Sequence, residues 1–133
     1  MKKAIVAMLI ILSAVILVGC GRRPRDMSEE AFNIGLDVLW TVDRFLDGDI
    51  SAASARAEIN RFLNRLDAIE PDRDEDNNGR PSREWSAHSG LTLRVLSIRS
   101  QLSSIEWGRG SRTEVLQSRN ALAGRLNQLN RRR

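Results

Sequence analysis

The chain has 133 residues, a formal net charge of +4 and a single cysteine. Its length suffices for one modest domain with its own hydrophobic core. One cysteine excludes an intrachain disulfide and a zinc site built from cysteine ligands. Only three prolines occur, and no segment alternates apolar and polar residues with the period of two that marks strands, so the pattern indicates helices.

The first twenty residues form a segment of distinct composition. Lysines at positions 2 and 3 precede the apolar run Ala4–Val18. That run has the length of a signal-peptide h-region and is shorter than the roughly 20 residues that span a bilayer comfortably. It ends at residues 17–20, which read Leu-Val-Gly-Cys. The combination of basic residues, apolar run and tetrad resembles the lipobox signal peptide of bacterial lipoproteins.

This resemblance implies that the thiol of Cys20 receives a diacylglycerol and that residues 1–19 are removed as a signal peptide. A further acyl chain on the new amino terminus would turn a marginal membrane association into a stable one. Residues 20–27 then form the anchor and a short linker on the extracytoplasmic face of a bacterial membrane. The alternative is an uncleaved transmembrane anchor, because positions 4–21 carry no charge. The arginines that follow argue against it by the positive-inside rule.

Two helices are predicted after the linker. The first, Ser28–Asp47, carries apolar residues at helical spacing on a wide face that includes Trp40, and Gly48 breaks it. The second, Ser51–Glu70, carries a narrow apolar stripe and ends at Pro71. The wide apolar face of the first helix indicates either a central helix that contacts both neighbours or a surface for a partner or a second copy.

Two more helices are predicted in the second half of the chain. Ser82 is a plausible N-cap for a helix whose apolar residues continue with a regular four-three spacing to Ile105. Gly108 and Gly110 stop that helix. The sequence that begins at Ser111 then has the pattern of a capping box, with an acidic residue three positions later, and opens the last helix.

These four segments predict an all-α fold that follows the N-terminal signal helix. The helices have similar lengths and are separated by short glycine-containing turns, which is typical of an up-down-up-down bundle. The bundle domain is 28–133, built from antiparallel hairpins at 28–70 and 82–131 that an acidic loop at 71–81 connects.

The loop also contains a possible metal-binding motif. Residues 74–79 fit D-x-[DN]-x-[DN]-G and resemble the opening of the calcium-binding helix–loop–helix family, with oxygen ligands at alternate positions and Gly79 at the sharp turn. The resemblance then fades, because Trp85 stands where the closing acid belongs and the nearest acid comes one place early. The loop is therefore either a calcium site or an ordinary solvated connection. The candidate ligands are Asp74, Asp76, Asn78 and Glu84.

Charge is distributed unevenly between the two hairpins. Positions 20–76 hold 8 arginines against 14 acidic residues, a net charge of −6, whereas positions 77–133 hold 11 against 3, a net charge of +8. Either the hairpins complement each other, or the basic residues meet an anionic surface such as lipid head groups. Nucleic acid is a poor candidate partner because no reading motif is present. The candidate residues for the anionic surface are Arg22, Arg23, Arg25, Arg131, Arg132 and Arg133.

Residues suited to catalysis are few. His88 is the only histidine and has Glu84 one turn before it, yet a lone histidine on an apolar face is more often a packing residue than a ligand or base. Asp43 falls within the apolar stripe of the first helix, where we expect it to pair with an arginine from a neighbouring helix, such as Arg99. The sequence therefore predicts no enzyme and no cofactor other than possible calcium. It favours a lipid-anchored helical lipoprotein that has a structural role or binds a protein or envelope partner.

Calcium binding can be tested by titrating the fragment 21–133 and following tryptophan fluorescence and thermal melting, with magnesium as the control. Because Trp85 directly follows the loop, a calcium site predicts a saturable, calcium-specific change that Asp74→Ala combined with Asp76→Ala abolishes. Absence of any change at millimolar calcium would identify the loop as a connection without a metal.

Overall fold

The computed structural model describes residues 22–75 and 78–127. The predicted signal helix and the last six residues lie outside this range, so the structure tests neither. Within it the chain forms four helices and no strand, apart from one isolated bridge between Glu75 and Pro81. The prediction of an all-α four-helix bundle is confirmed. The helices are α1 (Glu29–Leu46), α2 (Ala52–Asp67), α3 (Arg83–Glu106) and α4 (Arg112–Arg125).

Every one of the four helices begins after a serine N-cap. The serine hydroxyl oxygen in each case accepts a hydrogen bond from the backbone N–H three residues later, which satisfies one of the otherwise unpaired donors of the first turn. At the start of α4 the side chain of Glu114 also accepts from the N-cap N–H, so the predicted capping box is present. The four caps are Ser28, Ser51, Ser82 and Ser111.

The two hairpin turns have the same design. In residues 47–51 and 107–111 a glycine with positive φ follows the helix, at 86° for Gly48 and 69° for Gly108. Its N–H donates to the carbonyl three residues back, and the next N–H donates to the carbonyl five residues back. This is the Schellman arrangement, which glycine favours because it has no Cβ to clash in the left-handed region. One such tight turn in each hairpin makes its two helices antiparallel.

The core lies between the apolar stripes of the four helices. Helices α1 and α3 each contact all three of the others, whereas α2 and α4 contact only α1 and α3. The predicted stripe of α3 is fully buried except at its last residue, Ile105, which is partly buried. Burial of such stripes is the main stabilising term in a bundle of this size. The buried stripe of α3 consists of Leu91, Val95, Ile98 and Leu102.

The wide apolar face of α1 is explained mainly by its central position. Its buried face follows Ile34, Val38 and Val42, which contact the other helices. Trp40 was expected within this face, and that prediction is wrong because the side chain is 62% exposed. The physical reason is angular: a residue two positions from both Val38 and Val42 lies about 200° around a helix from either of them.

Helix α2 ends at Asp67, three residues before the predicted end at Glu70 and four before the proline that was expected to stop it. Ala68 is its C-cap, and Ile69 and Pro71 turn towards the core, where they are partly and fully buried. The following loop closes on itself, since the hydroxyl of Ser82 donates to the carbonyl of Asp72. None of the helices in the described ranges has both the length and the apolar character needed to cross a membrane.

Helix α1 approaches the end of α4 closely at Gly35. A Cβ atom added to Gly35 would lie 2.8 Å from Cδ1 of Leu126 and 3.4 Å from Cδ1 of Leu91. Both leucines are fully buried. In α3, a Cβ atom at Gly90 would instead meet the guanidinium of the exposed Arg125 side chain, which has room to move.

We expect Gly35→Ala to lower the free energy of unfolding more than Gly90→Ala does. Both changes gain about 1 kcal/mol of helix propensity, but the first overpacks the core, at about 1–3 kcal/mol. The second only displaces an exposed side chain and its hydrogen bonds to two α3 carbonyls. Urea denaturation of the two variants measures the difference, and a less stable Gly90→Ala protein would contradict the close approach at Gly35.

Candidate functional site

The antiparallel hairpins give the bundle two distinct ends. The end formed by residues 22–28, the 68–82 loop and the end of α4 is called the proximal end. The amide of Asn127 donates to the carbonyl of Arg22 at 3.2 Å there, so the described chain begins and ends at the same place. We call the distal end the one that contains the two Schellman turns.

The predicted anionic-surface residues fall in two groups. Arg22, Arg23 and Arg25 are exposed at the proximal end. Arg131, Arg132 and Arg133 lie outside the described residues, as does Cys20. The first group lies beside the point where an anchor at position 20 would join the bundle, next to the exposed Asp26. Binding to an anionic surface stays a prediction.

The predicted calcium ligands are described only in part. Asp74 and Asn78 are exposed in the loop, and Asp76 lies outside the described residues. Glu84 lines a shallow groove at the proximal end together with Arg23, Arg25 and Asp26. Among residues 22–75 and 78–127 no three acidic, histidine or cysteine side chains are grouped to hold a metal. Calcium binding at this loop stays a prediction.

His88 and Glu84, considered above as a pair, line different hollows. The half-buried imidazole of His88 lines a depression between α2 and α3 with Trp85 and Leu93. Its Nδ1 makes no hydrogen bond within the described part of the chain. Leu93 is largely exposed beside it. The depression is of mixed polarity, since Asp67 and Arg73 also line it. Without a hydrogen-bonded partner at Nδ1, His88 fits a packing residue at the edge of the core better than a base.

A buried ion pair joins the two hairpins. Nε and Nη2 of Arg119 donate to the two carboxylate oxygens of Asp43 at 2.9 and 2.8 Å. Arg119 is only 1% exposed, while the Asp43 side chain is 28% exposed. The expectation that Asp43 pairs with an arginine of another helix is therefore confirmed in kind, but the partner is on α4 and is not Arg99. The spacing of Arg119 within α4 could have revealed it, because it lies four residues after Val115 and so continues the apolar seam.

A second arginine connects the hairpins at the distal end. Nη2 of Arg112, in the first turn of α4, donates to the carbonyls of Phe45 and Leu46 at 2.7 and 2.8 Å. Its guanidinium also lies over the Phe45 ring, 4.9 Å from the centroid. The last carbonyls of α1 carry the negative end of the helix dipole, so a cation there is favourable. The basic hairpin thus complements the acidic one, as one of the two interpretations of the charge asymmetry requires.

A polar groove lies at the distal end between α2 and α3. It has a volume of about 380 Å³. Two residues one turn apart on α2 face it, as does a series at four-residue spacing on α3. The signal in the sequence is therefore a pair of polar ladders that run beside the apolar stripes of the two helices. We call it the distal groove; its lining residues are Arg56, Asn60, Arg99, Ser100, Ser103, Ser104, Trp107 and Arg109.

The arginines of the distal groove differ in their pairing. Arg56 forms an ion pair with Glu106, in which Nη2 and Oε1 are 3.2 Å apart. Arg99 and Arg109 are exposed and form no ion pair with any described residue. The groove therefore has a net positive charge. At its rim the side chain of Trp107 is 78% exposed, the highest value among the large hydrophobic residues described.

Comparisons of the chain with protein-family models, with curated proteins and with solved structures gave no match. The chemistry of the distal groove is accordingly inferred from its own side chains.

The buried ion pair predicts an asymmetric response to substitution. Asp43→Ala strands a buried guanidinium, so we expect it to cost about 3–5 kcal/mol of stability. Arg119→Met should cost clearly less, because it keeps an apolar side chain in the core and leaves a carboxylate that water can reach. Chemical denaturation of both variants measures the two losses.

The matched control is Asp37→Ala, which removes an exposed pair with Arg65 at 3.5 Å. Pairs of this kind contribute at most about 1 kcal/mol. Equal losses for Asp43→Ala and Asp37→Ala would contradict a structural role for the buried pair.

Proposed function

We propose that this protein is a lipid-anchored lipoprotein on the extracytoplasmic face of a bacterial membrane, where its bundle has a binding role. The tetrad at residues 17–20, with the basic and apolar segments before it, supports lipidation at Cys20. Dual acylation at one cysteine is sufficient for stable attachment without a membrane-spanning helix.

The contact between Asn127 and Arg22 is the observation that carries the proposal further. It sets the start of the described chain at the proximal end, two residues after the proposed lipidation site. A bundle anchored through Cys20 would therefore stand with its proximal end towards the lipid. Helix α1 has 18 residues, so the distal end would be held roughly 27 Å away, at about 1.5 Å per residue.

The charges at the proximal end suit a supporting part in membrane attachment. Each exposed arginine close to an anionic lipid surface contributes about 1 kcal/mol at most. The acidic residues of the loop, Asp72, Asp74 and Glu75, are exposed at this same end and oppose that attraction. The lipid is therefore proposed to hold the protein, while residues 22–25 orient it.

Binding is proposed in preference to catalysis because of the distal groove. Its lining has guanidinium, hydroxyl, amide and indole groups but no carboxylate, imidazole or thiol that could act as a general base or strong nucleophile. Such a surface suits recognition of an anionic ligand.

The anchor is tested by expressing the full-length chain in bacteria with an alkyne-bearing palmitate and fractionating the cells. We expect label on the wild-type protein in the membrane fraction. Cys20→Ser should remove the label and leave the precursor uncleaved, because the thiol is the proposed acceptor. Arg109→Gln serves as the matched control and should be labelled like the wild type. Unchanged labelling and mobility of the Cys20→Ser protein would refute the proposed lipidation.

A further inference from the structure

We propose that the distal groove binds an acidic glycan, that is, a segment of a sugar chain that carries carboxylate groups. This inference deepens the proposed binding role and rests on that function only for the location of the groove relative to the membrane. The recognition itself depends on the groove's charge, its hydrogen-bonding groups and its one aromatic residue.

Two unpaired guanidinium groups provide the charge. Arg99 comes from α3 and Arg109 from the turn after it, and both line the groove without an ion-pair partner among the described residues. The third arginine, Arg56, is held by Glu106 and so is largely neutralised. Like charges gathered on one concave surface are costly unless an anion joins them. The planar fork of arginine matches a carboxylate with two parallel hydrogen bonds.

The other polar groups suit a ligand rich in hydroxyls. The side chains of Ser100, Ser103 and Asn60 face the groove from both helices. A hydroxyl both donates and accepts, and an amide offers two donors and an acceptor, so together they can satisfy neighbouring sugar hydroxyls in either sense. A protein partner would instead be expected to bury aromatic or aliphatic anchors in an apolar pocket. The lining contains only one such group.

That group is Trp107, the C-cap residue of α3. It is 78% exposed and contributes little to the core. The positive φ of Gly108 turns the chain directly after it and brings Arg109 back to the same groove. An exposed indole beside cations offers a flat apolar surface of the kind that packs against the C–H face of a sugar ring.

The size of the groove limits the ligand to a short segment. Its volume of about 380 Å³ is near the lower end of the range for small-ligand sites, roughly 300–1,000 Å³. Half of its lining residues are solvent-exposed and the others are only partly buried, so a longer chain could pass through it with only a few units in contact.

The experiment uses the full-length protein, purified in a nonionic detergent and titrated with trigalacturonic acid while heat and tryptophan fluorescence are recorded. We expect saturable binding that maltotriose, the uncharged counterpart, does not show. Arg99→Gln and Arg109→Gln should each weaken binding at least tenfold, since a hydrogen bond to a charged group contributes about 1.5–3 kcal/mol. Trp107→Ala should weaken it as well.

Matched controls separate the groove from general effects of charge and aromatic surface. Arg94→Gln removes an exposed arginine of α3 that does not line the groove, and Trp40→Ala removes another exposed indole. Both should bind like the wild type. All the substituted residues are exposed, so thermal melting should show that every variant is folded.

Three results would overturn the proposal. The first is no detectable binding of trigalacturonate at about 10 mM, a concentration that would reveal even millimolar affinity. The second is a loss of binding in Arg94→Gln as large as that in Arg99→Gln. Equal or tighter binding of hexaglutamate or inorganic phosphate would show that the site takes peptides or simple anions. Binding in detergent does not require the acyl chains. A failed titration therefore leaves the lipidation test at Cys20 valid, and a failed lipidation test leaves the titration valid.

Discussion

The ion pair between Arg119 and Asp43 is the contact that fixes how the two hairpins face each other. Apolar stripes alone define a register weakly, because burial of apolar surface is non-directional. A guanidinium that is 1% exposed is different, since separation from its carboxylate would leave an unpaired charge in the core. Arrangements in which α4 slides along α1 by a turn are therefore strongly disfavoured. With this register, Arg112 also reaches the last carbonyls of α1 at the distal end.

The same constraint determines which charges stay available for ligands. The acidic first hairpin engages Arg119 and Arg112 of the basic second hairpin, and Glu106 engages Arg56 in the opposite direction. Among these contacts, only that between Asp43 and Arg119 pairs an acidic residue of the first hairpin with an arginine of the second. Arg99 and Arg109 remain at the distal groove without an ion pair among the described residues. The positive charge available for binding is thus that of two arginines at one groove. The net charge of the second hairpin alone does not show where on the bundle this charge lies.

Local features were the best-predicted part of the fold. Ser82 and Ser111 were expected to cap helices and do so, and the breaks at Gly48 and Gly108 are Schellman turns. Predictions that depended on packing were less accurate. Trp40 was assigned to the buried face of α1 but lies on the outer one, because an apolar residue on a wide stripe does not reveal which edge the neighbouring helices cover.

The sequence by itself determined the four helices, their caps and the two tight turns, because each depends on interactions between residues at most five positions apart. It also predicted that Asp43 pairs with an arginine of another helix. Only the tertiary structure decided that this cation is Arg119 and that Arg56, Arg99 and Trp107 surround one groove. Those contacts join helices that are distant in the chain, and their geometry follows from how apolar stripes pack, which residue spacing does not specify.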